Sequence, residues 1–560
     1  MTGNIQKLSV RLLKEGLQPE DSVREGVHLA AWPKLEGAKI ALDTMGGHAP
    51  KWSKFLELSN EEKAKLKNST AYGLVFVNAA GRWFAVSFGM GHVKLEPACF
   101  QQDFGLRVVL NSVDPKQLKS ADLRTPDENT LSRRSQTSRG SDQTAFAIDV
   151  ERDIVRGLAG KPRDAKFATR VAGTDSLSMD RRMTVADLPA ACADAYKLYQ
   201  KDDYKKDFGW IDHIRHVRES AIIEKLEHAL VAAIDAAVKS GQSDDLHLAF
   251  PIIYNPERAS LIRYKGFRSN NLYPDLDFPG YLDALRERGK DEYKREDLHG
   301  HMVHEVDDAG SDCGDKWRIS ECLVFETELD GHTYVLSGDR WYQIDVDLAK
   351  EVHDFFANVD RVELPAAEAD DNEEKYNNRL KANEPDLLCL DRKLVTPSGA
   401  ASAIEVCDFL GRDNRLIHVK DKTSSSRLSH LFSQGTVSGR ILILDGGARD
   451  RLRDKVTAVQ EETGQSDFDD IICGADSEFR ASDFTVVYAV LSTGDVAKLP
   501  FFSLVTFRQA ARELKLLGYR YAFSWIEKPA STAAKKKKKA SAGEGEDETA
   551  DVAAAETVAA

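Results

Sequence analysis

The 560-residue chain contains no run of about 18 apolar residues, so no membrane-spanning helix and no membrane association are expected. Its first residues, MTGNIQKLSVRLLKEG, put polar side chains where a secretion signal needs an apolar stretch, and a cytoplasmic protein is expected. Cysteine is sparse. The seven residues Cys99, Cys192, Cys313, Cys322, Cys389, Cys407 and Cys473 include no CxxC pair, which argues against a disulfide framework and a cysteine zinc site. Basic residues are not in excess: 77 Lys and Arg stand against 91 Asp and Glu, a net charge of −14. Coating of nucleic acid by bulk charge is thereby excluded, while binding through a local patch is not. The glycine-rich pieces SFGMGH and LDGGARD lack the Lys-Ser/Thr ending of a phosphate loop, and no GxSxG nucleophile elbow is found.

What is present is a globular composition, 42% hydrophobic and 30% charged, at a length that calls for several domains. The alternation of strand-like and helix-like patterns predicts a multi-domain α+β protein. Residues 1–115 read as a β-rich region, with a hairpin whose strands flank the turn residues Asn78 to Gly81 and a third apolar run from Leu106. Residues 116–240 read as a polar linker, Lys119 to Gln143, followed by two amphipathic helices. Residues 241–360 are mixed, with a hairpin turning at Asp330-Gly331 and then a helix. Residues 365–528 form an α/β domain, and 529–560 a Lys/Glu-rich low-complexity tail expected to be disordered.

Three groups of polar residues invite a chemical reading. His299, His301 and His304, with Asp307, Asp308 and Cys313, have a spacing compatible with zinc, although a solvated loop is the commoner fate of such a stretch. WIDHIRHVRES offers Asp212, His213, Arg215 and His216, read as the exposed face of a helix. The third group lies in the α/β domain. There the order is helix (EADDNEEKYNNRLKA), strand (DLLCLD), strand (SAIEVCDFL), turn (GRDN), strand (RLIHVK), helix (SSSRLSHLFSQGTVS) and a later strand (FTVVYAVLS).

If Gly411 to Asn414 are the turn, Leu410 faces Arg415, Cys407 faces His418 and Glu405 faces Lys420. Glu405, Cys407, His418 and Lys420 then share one face, and Ile404, Val406, Ile417 and Val419 the other. A register shifted by one residue exchanges Glu405 for Asp408 as the partner acid, so both are retained. Carboxylate, imidazole and ammonium groups on one patch suit a divalent cation, Mg²⁺ or Mn²⁺, acting on a phosphate. The candidate catalytic residues are Glu405, Asp408, His418 and Lys420. The candidate ligands are Glu405, Asp408, His418 and Asp391, with Asp386 as a further one and Glu374 as a weaker one. From 412 to 440, six basic residues (Arg412, Arg415, Lys420, Lys422, Arg427, Arg440) face two acids, Asp413 and Asp421. That local excess of positive charge makes Arg415 and Lys422 candidates for nucleic-acid contact.

This order of elements resembles the PD-(D/E)XK, restriction-endonuclease-like fold, an αβββαβ core with an acid on its second strand and an acid-x-Lys on its third. The resemblance implies that Glu405 or Asp408 matches the first acid and His418-Val419-Lys420 the tripeptide, with His418 where the family carries Glu or Asp. It also implies that Arg427 and Gln434, on the helix SSSRLSHLFSQ, reach substrate phosphates. Up to about Glu527 the chain further resembles a sporadically distributed bacterial family of unknown function. The stretches RLLKEGLQPEDSVREG, FAIDVERDIVRGLAGKP, WIDHIRHV, CLVFETELDGHTYVLSGDRWYQID and IEVCDFLGRDNRLIHVKDKTSSSRLSHLFSQGTVSG carry that resemblance. Its patchy distribution implies a role in defence against phage or mobile DNA. The expectation is a metal-dependent nuclease or, alternatively, a non-catalytic nucleic-acid-binding or protein-interaction component of a defence system.

Overall fold

The computed structural model describes residues 4–529 apart from 49–55, 57–58, 67, 127–129, 242–245, 253–260, 268–270, 288, 290–291, 308–309, 400–402, 422–424 and 494–498. The Lys/Glu-rich tail from 530 onward, Lys422 and Asp308 therefore lie outside the described residues. The architecture is mixed α+β with several sheets. The chain divides into two compact units, one holding Met1–Pro126 and Thr130–Arg215, the other His216 onward. The boundary falls inside the 116–240 stretch expected as one region.

The first unit is built on β1 (Asn4–Leu12), β2 (Ala30–Ala31), β3 (Lys39–His48), β4 (Asn68–Ala79), β5 (Arg82–Gly89), α1 (Phe104–Ser112), β6 (Val113–Thr125), β7 (Leu131–Ser141), β8 (Ile154–Pro162), β9 (Arg170–Gly173), β10 (Leu177–Met183) and α2 (Leu188–Tyr199). Its strands form one sheet in the order β2-β3-β4-β5-β1-β10-β9-β8-β6-β7. The expected hairpin is β4–β5, whose two turn residues Ala80 (φ 52°) and Gly81 (φ 75°) take the left-handed conformation that matches strand twist. The apolar run from Leu106 is the helix α1, buried along nearly its whole length, a case in which a short apolar run does not distinguish strand from helix.

Two expectations are corrected in this unit. The polar stretch Lys119 to Gln143, read as a linker, supplies most of β6 and β7. Leu118, Ala121 and Leu123 of β6 are buried, whereas β7 is the sheet's edge and is polar on both faces, as an edge that must not recruit another strand should be. The ion pairs Arg134–Asp122 (2.7 Å) and Arg133–Asp153 fasten it. The second correction concerns WIDHIRHV, read as a helix: Gly209–His213 is a single 3₁₀ turn.

In the second unit, α3 (Ser220–Ser240) buries Leu226, Leu230, Ile234 and Ala237 at helical spacing and ends at Gly241 (φ 77°). There follow β11 (Leu246–Leu248), β12 (Leu261–Lys265), α4 (Phe278–Arg286), β13 (Met302–Val306), β14 (Asp312–Arg318), β15 (Leu323–Leu329), β16 (His332–Ser337), β17 (Trp341–Ile344) and α5 (Val346–Ala357). β12, β13 and β14 make a small antiparallel sheet, and β17-β16-β15-β11 are consecutive in another. The β15–β16 turn is Asp330-Gly331, as expected, with both residues at positive φ.

The same unit continues through α6 (Glu373–Asn383), β18 (Leu387–Cys389), β19 (Phe409–Gly411), β20 (Arg415–Asp421), α7 (Ser425–Leu444), α8 (Gly446–Thr463), β21 (Thr485–Thr493), α9 (Phe501–Leu516) and β22 (Arg520–Lys528). The sheet order is β18-β19-β20-β21-β22, antiparallel over the first three strands and parallel over the last two pairings. The parallel pairings follow from the helical crossovers that precede β21 and β22. One face buries Phe409, Ile417, Val419, Val487 and Ala489 against Tyr376 and Leu380 of α6. On α7, a Cβ at Gly435 would stand 2.4 Å from the Tyr488 hydroxyl, which donates to the Phe432 carbonyl at 3.0 Å.

The hairpin register differs from the first reading. Leu410 pairs with Leu416 and Phe409 with Ile417, so Leu410 does not face Arg415, nor Glu405 face Lys420. The turn is one residue shorter than assumed: Gly411 stays in β19, the Asn414 N–H closes on the Gly411 carbonyl at 3.0 Å, and Asn414 takes φ 62°. The strand read into SAIEVCDFL contracts to Phe409–Gly411.

Candidate functional site

Asp408 is the residue at which β19 leaves β20. Its N–H still donates to the Ile417 carbonyl (2.9 Å), but the next ladder donor along β20, the Val419 N–H, is taken by the Asp408 carboxylate at 2.7 Å. The opposite side of the same residue holds the first strand, since the Leu390 N–H donates to the Asp408 carbonyl (2.7 Å). Asp391 follows directly. Arg392, at φ 60°, then turns its N–H onto the Glu405 Oε1 at 2.5 Å. Asp391, Glu405 and Asp408 thus converge, with one oxygen from each lying within 4.8 Å of the others.

The electrostatics of this group follow from its burial. Asp408 is 4% exposed, and burial first, then the neighbouring Glu405, push its carboxyl well above the usual carboxylate range against the pull of the Val419 N–H. Burial likewise raises Glu405; the Arg392 N–H opposes the rise, Asp391 adds to it and Lys420 opposes it. Three acids crowded in this way repel each other, and a divalent cation would relieve the repulsion. The donor set is all oxygen, which suits Mg²⁺ or Mn²⁺. Asn377 of α6 donates to Asp391 Oδ2 at 3.3 Å, while its own Oδ1 is buried without a partner. Lys420 Nζ pairs with Glu373 Oε1 of α6 at 2.9 Å.

His418 is not part of this group. It is 1% exposed, its ring lies 6.1 Å from that of Tyr488, and its Nε2 is buried without a hydrogen bond. Burial, and next Lys420, push its pKa down to about 4, so the ring is neutral and sealed from solvent. The assignment of His418 as ligand and catalytic group is thereby corrected: the one-residue register shift opposes it to Asp408 while the hydrogen bond to Val419 draws that carboxylate along the strand. Cys407 is buried as well. Asp386 is far more exposed and pairs with Arg412 (3.2 Å), and Glu374 pairs with Arg392 (3.4 Å).

The run of positive charge is also answered locally. Arg412 meets Asp386 and Asp467, Arg415 meets Asp413 (2.7 Å), and Arg440 meets Glu513 (2.5 Å). Arg415 begins β20 at the turn end of the hairpin, where Asp413 holds its guanidinium. Gln434 is half-buried on α7, one turn before Ser438, whose hydroxyl donates to the Glu405 carbonyl at 3.2 Å; helical spacing places the two on the same side. The side chain of Arg427 lies outside the described residues.

The histidine stretch does not converge. His301 is buried, with its Nδ1 2.7 Å from the Tyr281 hydroxyl; His304 pairs with Asp312 (3.1 Å); and His299 lies 3.9 Å from Glu227. Glu373, Asn377 and the Arg392 N–H were not identified from the sequence. The four-residue spacing of Glu373 and Asn377 on a helix that precedes the first strand was the available signal.

The fold and site define a multi-sheet α+β protein with a carboxylate-lined centre in its second unit, and no described helix is long and apolar enough to cross a membrane. The chain belongs to a family of unknown function (DUF6119), matched over residues 8–527. No curated protein and no solved structure matches it.

Proposed function

We propose that residues 365–528 form a metal-dependent nuclease domain with a restriction-endonuclease-like core, α6-β18-β19-β20-α7-β21. The observation that carries the proposal is the convergence of Asp391, Glu405 and Asp408 within 4.8 Å, with Glu405 and Asp408 both raised by burial. These three residues hold Mg²⁺ or Mn²⁺, and Asn377 orients Asp391. A bound divalent ion supplies Lewis acidity toward a phosphate oxygen and lowers the pKa of a bound water. Lys420, kept in place by Glu373, stabilises negative charge developing on the phosphate. Gln434 supplies an uncharged hydrogen-bonding group beside the scissile region. His418 packs beneath the site as a neutral ring, and the role of the usual second acid passes to Asp391 and Glu405. Cytoplasmic defence against phage or mobile DNA is the context that the sequence resemblance implies for such an activity.

The test is cleavage of single- and double-stranded DNA and RNA by the full chain with Mn²⁺ or Mg²⁺, beside Asp408→Asn and Lys420→Ala. Metal-dependent cutting that both substitutions abolish supports the reading. A second reading, a nucleic-acid-binding protein without catalysis, is favoured by His418 standing where related sites carry an acid. It predicts salt-sensitive band shifts with no cutting by the wild type. A chain that neither cuts nor binds nucleic acid leaves a protein-interaction component.

A further inference from the structure

The first unit contains a cleft of about 470 Å³ between the C-terminal ends of α1 and α2, the end of β8 and the segment that follows it. Its walls include Pro162, Phe167 and Leu198, and its cations are Arg163, Lys166, Arg181, Lys197 and Lys201 against two acids, Asp164 and Asp194. The volume falls in the range of small-molecule sites, roughly 300–1,000 Å³.

The frame around this cleft is fixed by hydrogen bonds. The Asn111 side-chain amide donates to the carbonyls of Leu198 (3.0 Å) and Lys201 (2.9 Å), and its oxygen accepts the Tyr204 N–H (2.9 Å), tying α1 to the end of α2. The Arg163 N–H donates to the Ser112 carbonyl (2.9 Å), and Asp164 accepts the Lys166 N–H (2.8 Å), which shapes the segment on the other side.

Of the two acids only Asp194 is paired with a cation; Asp164 accepts the Lys166 N–H and makes no ion pair among the described residues. Asp194 pairs with the guanidinium of Arg181 at 3.0 Å, and that arginine is 8% exposed. Arg163 meets Asp207 at 2.5 Å and Lys201 meets Asp203 at 3.4 Å. Lys166 and Lys197 are exposed and make no ion pair among the described residues. The cleft therefore combines apolar walls with two ammonium groups outside any ion pair, against one carboxylate, Asp164, that is likewise outside one. A neutral apolar ligand would leave the lysines unused, and a bare anion would leave Phe167 and Leu198 unused.

We propose that this cleft binds a phosphorylated small molecule with an apolar or aromatic body, of mononucleotide size. Lys166 and Lys197 take the phosphate, and Phe167 and Leu198 pack against the body. The site is independent of the carboxylate centre in the other unit.

The test is calorimetric titration of the full chain in metal-free buffer with AMP, ATP, inorganic phosphate and a short single-stranded oligodeoxynucleotide. A mononucleotide should bind in a salt-sensitive way and inorganic phosphate more weakly. The double variant Lys166→Glu/Lys197→Glu should weaken the mononucleotide by at least about tenfold, and Lys166→Gln/Lys197→Gln by less. Both lysines are exposed, so the variants should keep the wild-type thermal unfolding, measured alongside. The proposal is overturned if no mononucleotide binds, if the double variant binds as wild type does, if phosphate alone matches the nucleotide, or if only the oligonucleotide responds to the two lysines.

Discussion

Between residues 299 and 313 the chain gathers three histidines, three aspartates, a glutamate and a cysteine, and the described members are dispersed: His301 to a buried tyrosine, His304 to Asp312, His299 toward Glu227. Asp391, Glu405 and Asp408 are spread more thinly in sequence, yet their oxygens converge. The contrast is one of backbone path. His304 belongs to a strand that His301 immediately precedes, and in extended chain residues three apart point to opposite faces. The three acids sit at a strand exit, at the bend just after β18 and at the splay of β19, where loose chain ends can bring unrelated positions to one point. Density of ligand types in sequence is therefore a poorer guide to an ion site than the places where strands part company.

The contrast can be broken most directly through the acids. Asp408→Asn should lower metal-dependent cleavage by about 100-fold or more and abolish the rise in Tm that Mn²⁺ gives the wild type. The double variant His299→Ala/His304→Ala should keep both. A Mn²⁺ shift that follows the histidines instead would reverse the comparison.

Tyr281→Phe removes the buried hydroxyl that meets both His301 Nδ1 (2.7 Å) and the Tyr293 hydroxyl (3.1 Å). It should cost about 1–3 kcal/mol in urea denaturation while leaving the Mn²⁺ shift untouched, which would mark the histidine stretch as structural.

His418 gives a pH signature. Its folded pKa of about 4 lies below the usual value of 6.5, so the unfolded chain takes up the proton first as pH falls. Stability contributed by the neutral ring is thus complete above pH 6.5, declines as pH drops toward 4 and then levels. His418→Phe should flatten this decline by up to about 1.4 kcal/mol per pH unit, read from urea melts of the two proteins across the window. An unchanged slope would mean that the ring is accessible and a candidate ligand once more.

The smallest effect has the opposite sign to most core substitutions. In EDTA, Asp408→Asn should stabilise the protein by on the order of 1 kcal/mol, because it removes a carboxyl crowded by Glu405 while leaving an oxygen for the Val419 N–H. Destabilisation without metal would show that the acids are not in mutual conflict.

Much of the scaffold was legible in the residues. Alternation and turn signals located the hairpins at Ala80-Gly81 and Asp330-Gly331, and helical spacing located α3 and α7. The order of elements from Glu373 to Thr493 also followed from pattern. What escaped was set by geometry rather than by residue type. Gly411 and Asn414 are both turn formers, so the loop could be counted as three residues or four, and that single residue decided whether Cys407 or Asp408 opposed His418. β7 escaped because an edge strand carries the polar composition of a loop. The apparent positive island escaped because its counter-charges, Asp467 and Glu513 among them, lie far along the chain.

The Asp408 carboxylate occupies the place of a main-chain acceptor in the sheet, closing on the Val419 N–H where the neighbouring strand has departed. One side chain is thus a rung of the β-ladder and a member of the acid group at once, so occupancy of the group and closure of the strand pair are thermodynamically linked. The exchange rate of a single backbone amide, that of Val419, becomes a built-in gauge of whether the group is filled.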